Sequence, residues 1–266
     1  MKSIFTQKEN LLYANNDCIL ILNNCLNTLK NIKSESVDMI FADPPYFLSN
    51  GGITCKSGKI GTVDKGYWDK ETDRQKIDRF NFSWIKECRR ILKKSGTIWI
   101  TGTFHNIFSV GQALTYLNFK ILNDVIWQKS DPPPNISHRM FTHSSEHLIW
   151  AKKSSKSKHT FNYQLLIEKN NGKQMTDVWK LPAVQQSEKL FGYHPTQKPL
   201  HLLKRVIISS TCTNNVILDP FCGSGTTGVA AILLRRKFIG IENENSYIKI
   251  AIKRVSSVYK NRESHL

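Results

Sequence analysis

Short apolar runs alternate along this chain with longer segments whose apolar residues recur every three or four positions. The short runs Val37 to Ala42, Thr97 to Thr101, Phe119 to Gln128, His147 to Ala151, Val216 to Asp219 and Phe238 to Glu242 read as strands. Helical spacing predicts helices over Phe82 to Leu92, Asn106 to Leu117, Thr226 to Leu234 and Tyr247 to Tyr259. Pro199 to Ser210 is a further helix, with proline at its start where a missing N–H costs little. Cys18 to Leu29 reads as an apolar-rich helix. The alternation predicts an α/β, doubly wound, mostly parallel sheet.

Two stretches break the rhythm. Residues 47–70 are rich in Gly, Lys and Ser and read as a long mobile loop, of the kind that is functional or disordered. Residues 152–193 are polar and irregular, opening on Lys152-Lys153-Ser154-Ser155-Lys156-Ser157-Lys158-His159. They read as an insert that splits the catalytic unit into 1–151 and 194–266. Such an insert is either solvated surface or a phosphate-facing recognition region. The whole-chain charge favours the second.

That charge is large. Among 266 residues, 38 Lys and Arg stand against 21 Asp and Glu, a formal net charge of +17. A surplus of this size points to a polyanion, either nucleic acid or an anionic membrane. No apolar run approaches the ~18–20 residues of a membrane span, and the N-terminus lacks a secretory pattern, so the membrane reading weakens. Six cysteines without a C-x-x-C pair read as free buried thiols of a reducing cytosol.

Asp43-Pro44-Pro45-Tyr46 stands where the strand Val37 to Ala42 ends. It is either a proline turn or a clamp for a flat, amino-bearing ring. The prolines donate no N–H, so nearby carbonyls stay free to accept; Asp43 adds a carboxylate and Tyr46 a face for stacking. Far along the chain, Val216-Ile217-Leu218-Asp219-Pro220-Phe221-Cys222-Gly223-Ser224-Gly225-Thr226-Thr227 runs from strand through a glycine turn into a helix. The glycines allow close approach of a ligand to a helix N-terminus, and Glu242, about twenty residues on, suits two ribose hydroxyls. The spacing is neither G-x-G-x-x-G nor a Walker motif. An adenosine ligand without a phosphate chain is favoured, and S-adenosylmethionine fits.

The two sites together resemble the amino-methyltransferases of DNA: D-P-P-Y marks their target-base clamp and F-x-G-x-G their S-adenosylmethionine loop. Clamp before cofactor loop, with a basic insert between, resembles the β-class of adenine-N6 methyltransferases. Trp127-Gln128-Lys129, His147 to Lys152 and His194-Pro195-Thr196-Gln197-Lys198-Pro199 fit that class. Phe41 to Gly52 and Asp64 to Asp69 are similar to the second adenine methyltransferases of DpnII-type systems, which methylate GATC and accept single strands. Phe161-Asn162-Tyr163 and Asn171 to Met175 are also similar to cell-cycle methyltransferases acting on GANTC.

The resemblance implies that Asp43, Pro44, Pro45 and Tyr46 hold the target adenine. It implies that Asp17, Asp43, His194, Thr196, Lys198, Asp219, Phe221, Gly223, Ser224, Gly225, Thr226 and Glu242 surround the cofactor. It implies DNA as partner, double-stranded and also single-stranded, a homodimer, and a restriction endonuclease as the other half of the system. Trp68, Lys129, Arg139, Lys153, Lys156 and Lys158 are the candidate DNA contacts. Asn135, Asn162 and Gln174, with Arg139, form an inventory of base-edge readers. Cytosine-N4 transfer uses the same geometry, and a catalytically silent DNA-binding protein would share the fold. Asp rather than Ser at the head of the clamp favours adenine through the resemblance. His143-Ser144-Ser145-Glu146-His147 matches an H-x-x-E-H zinc pattern without its helix. Pairing of Glu146 or the histidines with backbone or phosphate is the preferred reading, with no metal. The tryptophans other than Trp68 read as core.

Overall fold

The computed structural model describes residues 1–7, 9, 11–49, 53–56, 59–62, 66–130, 132 and 134–263; for 53–56, 59–62, 68 and 261–263 it describes the backbone alone. In chain order the elements are β1 (Leu11–Ala14), β2 (Cys18–Leu22), α1 (Cys25–Lys30), β3 (Val37–Ala42), β4 (Ile53–Lys56), β5 (Lys59–Thr62), α2 (Arg74–Ile91), β6 (Leu92–Gly102) and α3 (Ile107–Tyr116). They continue with β7 (Lys120–Lys129), β8 (Ser145–Lys152), α4 (Tyr163–Lys169), β9 (Val178–Leu181), α5 (Leu200–Ser210), β10 (Val216–Asp219), α6 (Thr226–Leu233), β11 (Lys237–Glu242) and α7 (Asn245–Glu263).

Nine strands form one sheet in the order β1-β2-β11-β10-β3-β6-β8-β7-β9, and β4 with β5 makes a separate hairpin. Five of the eight junctions described are parallel; β1–β2, β6–β8 and β8–β7 are antiparallel. Alternate residues of each central strand feed opposite cores. Ile40, Ala42, Ile98 and Ile100 meet α1, α2 and α3 on one face, while Met39, Phe41 and Trp99 meet α5, α6 and α7 on the other. Burial on both faces explains why these strands read as unbroken apolar runs.

The winding order of the chain reverses between the parallel neighbours β10 and β3. From β10 the chain passes through α6 to β11 on one side. From β3 it passes through α2 to β6 on the other. The helices leave on opposite faces, so a crevice opens at the carboxyl ends of the two strands, where ligands bind in folds of this type. Asp43 and Asp219–Gly225 both stand at that mouth edge.

One expectation is corrected, and the two irregular stretches take defined form. Cys18 to Leu29 is a strand followed by a short helix. Ile19 and Ile21 face one core while Cys18 and Leu20 face the other, and the Asn24 side chain caps α1 by accepting the Leu26 N–H at 2.9 Å. An apolar run buried on both sides carries no period that separates strand from helix. Residues 47–70 hold the β4–β5 hairpin and a 3-10 turn at Tyr67–Asp69; residues 50–52, 57, 58 and 63–65 of that loop lie outside the described residues. Residues 152–193 pack onto the catalytic unit: β9 extends the main sheet beside β7, and α4 is tied to α5 through Asn162, whose amide donates to the Ile208 and Thr211 carbonyls at 2.7 and 2.9 Å. Trp179 reaches the core and lies 6.0 Å from Trp99, which stacks on Trp150 at 5.1 Å.

Candidate active site

The glycine turn after β10 is held from three directions. Glu242, at the end of β11, accepts the Gly223 N–H at 2.7 Å and the Asn243 and Glu244 N–H groups at 2.9 Å. Arg254 of α7 donates to the Ser224 carbonyl and to the Ser224 and Thr226 hydroxyls. Asp219 accepts from the Thr227 hydroxyl at 2.6 Å and the Phe221 N–H at 3.0 Å. Gly223 and Gly225 adopt φ of 51° and 78°. A Cβ on Gly223 would lie 2.9 Å from the His194 ring, and one on Gly225 2.8 Å from the Ala251 methyl. Only glycine fits this curled turn.

A cavity of about 440 Å³ opens over the turn, within the range of small-ligand sites. Asp43, Pro45, His194, Thr196, Lys198, Asp219, Phe221, Gly223, Ser224, Thr226 and Glu242 line it, so eleven of the predicted site residues come together. Burial raises the Asp219 carboxyl to about 7 and raises that of Glu242, against the N–H groups that favour its anion. Burial lowers His194 to about 4, so its imidazole is neutral at pH 7. The ring packs edge-on against Tyr247, 4.2 Å between centroids.

At the other end of the cavity the clamp is already engaged. Both Asp43 oxygens contact the Lys198 ammonium, at 2.7 and 2.6 Å. Asp43 Oδ1 also accepts the Thr101 and Tyr46 hydroxyls. The Pro45 carbonyl accepts from Asn106 at 3.3 Å. Lys198 sits one residue before Pro199, the N-cap of α5, and Glu188 accepts the Leu200 N–H at 2.8 Å. That start of α5 carries the lysine to the mouth edge.

Several predicted residues fall elsewhere. Asp17 precedes β2, whose Cys18 lies beside Phe238 while Leu22 lies beside Glu242. It therefore stands at the far edge of the sheet, about 16 Å of strand away from the Glu242 end. Reading β2 as helix hid its true carboxyl end, where Asn23 and Asn24 line the cavity. Tyr46 is not an open stacking platform. It is 6% exposed, with the Lys198 ammonium 5.1 Å over its ring. Pro44 and Gly225 shape the walls without lining the cavity.

Among the DNA candidates, Lys129 ends β7 at the mouth edge but is paired to Glu146 at 2.6 Å. Arg139 is exposed on the loop between β7 and β8, whose ends are level with Gly102 at that same edge. Lys153, Lys156 and Lys158 are at the opposite edge. β8 runs antiparallel to β6, so Lys152 is level with Thr97, and Lys153 binds Glu35 and the Leu92 carbonyl at the strand origins. The Trp68 side chain lies outside the described residues. Asn162 is occupied by α5 and is no base-edge reader. Glu146 pairs with Lys129, Lys198 and Tyr46.

A nucleoside-sized cavity at a switch point, with a polar clamp at one end and an acid-rimmed glycine turn at the other, defines a Rossmann-like group-transfer site. Residues 37–253 match the DNA methylase family, and the chain belongs to it. It is 54% identical over 241 residues to the type II methyltransferase M2.MboI of Moraxella bovis, covering 90% of this chain and 88% of that one. To M2.DpnII of Streptococcus pneumoniae it is 52% identical over 246 residues, covering 92% of each. The solved complex of M1.HpyAVI with SAM superposes with a TM-score of 0.67 at 28% identity, covering 90% of this chain and 98% of that one.

Proposed function

We propose that this protein moves the methyl group of S-adenosylmethionine to N6 of an adenine extruded from DNA. The observation that carries this reading is the single cavity that joins Asp43 to the Glu242–Gly223 turn. The chemistry of its donors suits the cofactor. Among the described residues no lysine or arginine is bonded to the acids Asp219 and Glu242, which suits a cationic nucleoside, and Phe80 and Phe221 offer apolar walls. Glu242 and the turn would hold the ribose, and neutral His194 would lie near the methionine end without opposing a sulfonium.

S-adenosylmethionine supplies a methyl group already activated on sulfur. The remaining work is positioning. The N6 lone pair of adenine is delocalised into its ring. Asp43 and the Pro44 carbonyl accept the amino hydrogens and favour a more tetrahedral nitrogen, aiming the lone pair. Asp43 does this as an acceptor, held in place by Thr101. The base leaves the duplex stack to arrive there.

The finer reading is GATC as target, in duplex and in single strands, as the modification half of a restriction–modification system, in a cytoplasmic homodimer; what supports it is the resemblance of Phe41 to Gly52 and Asp64 to Asp69 to the second methyltransferases of DpnII-type systems. Incubation with labelled S-adenosylmethionine and methyl-free DNA is expected to yield N6-methyladenine. Labelled N4-methylcytosine would overturn the adenine assignment, and no label would overturn the enzyme. Digestion of modified plasmid by methylation-sensitive nucleases tests GATC, labelled oligonucleotides test single strands, and sedimentation tests the dimer.

A further inference from the structure

Asp43 is already paired before any base arrives, and the group that pairs with it has a second place to go. Lys198 Nζ lies 2.6 Å from Asp43 and 3.6 Å from Oε2 of Glu146. Glu146 comes from β8, a hundred residues from the clamp in sequence, and is 8% exposed. Its other oxygen holds Lys129 at 2.6 Å. The Tyr46 hydroxyl stands between the two acids, 2.9 Å from Asp43 and 3.1 Å from Glu146. It has one hydrogen and can donate to only one of them at a time. Two carboxylates, two ammoniums and a phenol thus form one buried relay beside the cavity.

An adenine amino group bonding to Asp43 competes with Lys198, which contacts both carboxylate oxygens. A buried ammonium stripped of its partner is strongly unfavourable. A second carboxylate about an ångström further on removes that penalty. We propose that Glu146 is a positioning residue that receives the Lys198 ammonium when the target base takes its place on Asp43. Lys198 is then a displaceable stopper of the base pocket, and Tyr46 swings its hydrogen toward the acid the lysine has left. Burial raises the Glu146 carboxyl, but Lys198 and Lys129 overcome it and hold it at about 2. The receiving acid is therefore ionised whenever the enzyme is folded near neutral pH. The inference rests on the adenine reading of the Asp43 pocket.

Glu146→Gln keeps the shape and an acceptor for Tyr46 while removing the charge. With wild-type protein active on a duplex carrying the target adenine, the single-turnover rate of this variant is expected to fall about tenfold or more, the kinetic equivalent of one charged hydrogen bond. Affinity for a duplex with adenine at the target, relative to one with purine lacking the amino group, is expected to fall too. Affinity for S-adenosylmethionine stays unchanged. In a Lys198→Met background, Glu146→Gln is expected to add little to that affinity ratio, because the group it serves is gone. Wild-type rates and ratios in Glu146→Gln would overturn the proposal. So would an equal loss in both backgrounds, which would place the effect in the fold. Wild-type protein that leaves adenine unlabelled would end the adenine reading and this inference with it, and is seen before the variants are compared.

Discussion

The two edges of the sheet both gather charge, and they use it differently. At the mouth edge, Glu146 and Lys198 are buried and Asp43 is half-buried, and the lysine pairs with both acids. At the far edge, Lys156 and Lys158 are exposed, and Lys153 makes a surface pair with the half-exposed Glu35, a type of contact worth about 0–1 kcal/mol. The far edge holds the denser run of lysines in sequence. The mouth edge holds the chemistry, because only there do β3, β10 and β11 bring acids from distant segments to one cavity. The direction of β8 puts the basic run at the edge opposite the cavity.

Substitutions should separate the edges by orders of magnitude. Asp43→Ala is expected to lower methyl transfer by about 10³-fold or more, on the scale of losing a preorganised transition-state contact, with cofactor affinity by calorimetry largely intact. Transfer at the wild-type rate would erase the distinction between the edges. Trp99→Ala, in the core between them, is expected to cost about 3–5 kcal/mol in urea unfolding, since its ring stacks on Trp150 and its N–H donates to Ser210 at 3.0 Å. A loss under 1 kcal/mol would mean the tryptophan stack does not hold the sheet together.

Buried titrating groups give the mouth edge a pH signature. His194 is held down to about 4, so between about pH 6.5 and 4 the unfolded chain binds the extra proton and stability falls with falling pH. Asp219, raised to about 7, acts oppositely: the folded chain holds its proton, and stability is lost as pH rises from about 4 to 7. The two oppose each other. Asp219→Asn is expected to remove one side and make stability rise more steeply with pH across that window, by a few kcal/mol on the order of its shift. Unchanged pH slopes in urea melts would refute this.

The smallest effects are expected in DNA binding. Arg139→Ala should reduce the slope of log affinity against log salt by about one. The triple change Lys153→Ala, Lys156→Ala and Lys158→Ala should leave that slope within error. A larger drop for the triple variant would bring the far edge back as a DNA surface.

Much of this architecture was legible along the chain. The alternation of strands with helices was visible because β3, β10, β11 and the buried parts of β6 and β8 are apolar on both faces, and turns carry Gly, Pro and Asn. The clamp and the glycine turn were visible because their residue types have narrow uses: Pro44 and Pro45 remove donors, and Gly223 and Gly225 occupy backbone angles other residues avoid. What stayed hidden depended on contacts between distant segments. The β2 run has no distinguishing period, so the misplaced Asp17 and the overlooked Asn23 and Asn24 follow from one wrong element. Glu146 looked like half of a zinc pattern, and its partners lie 17, 52 and 100 residues away in sequence. Local residue chemistry set which segments become strands, turns and ligand loops, because those choices are made by sterics within a few residues. Only packing decided which edge each charge occupies and which acid each lysine meets, because strand direction and helix placement depend on burying both faces of the whole sheet at once.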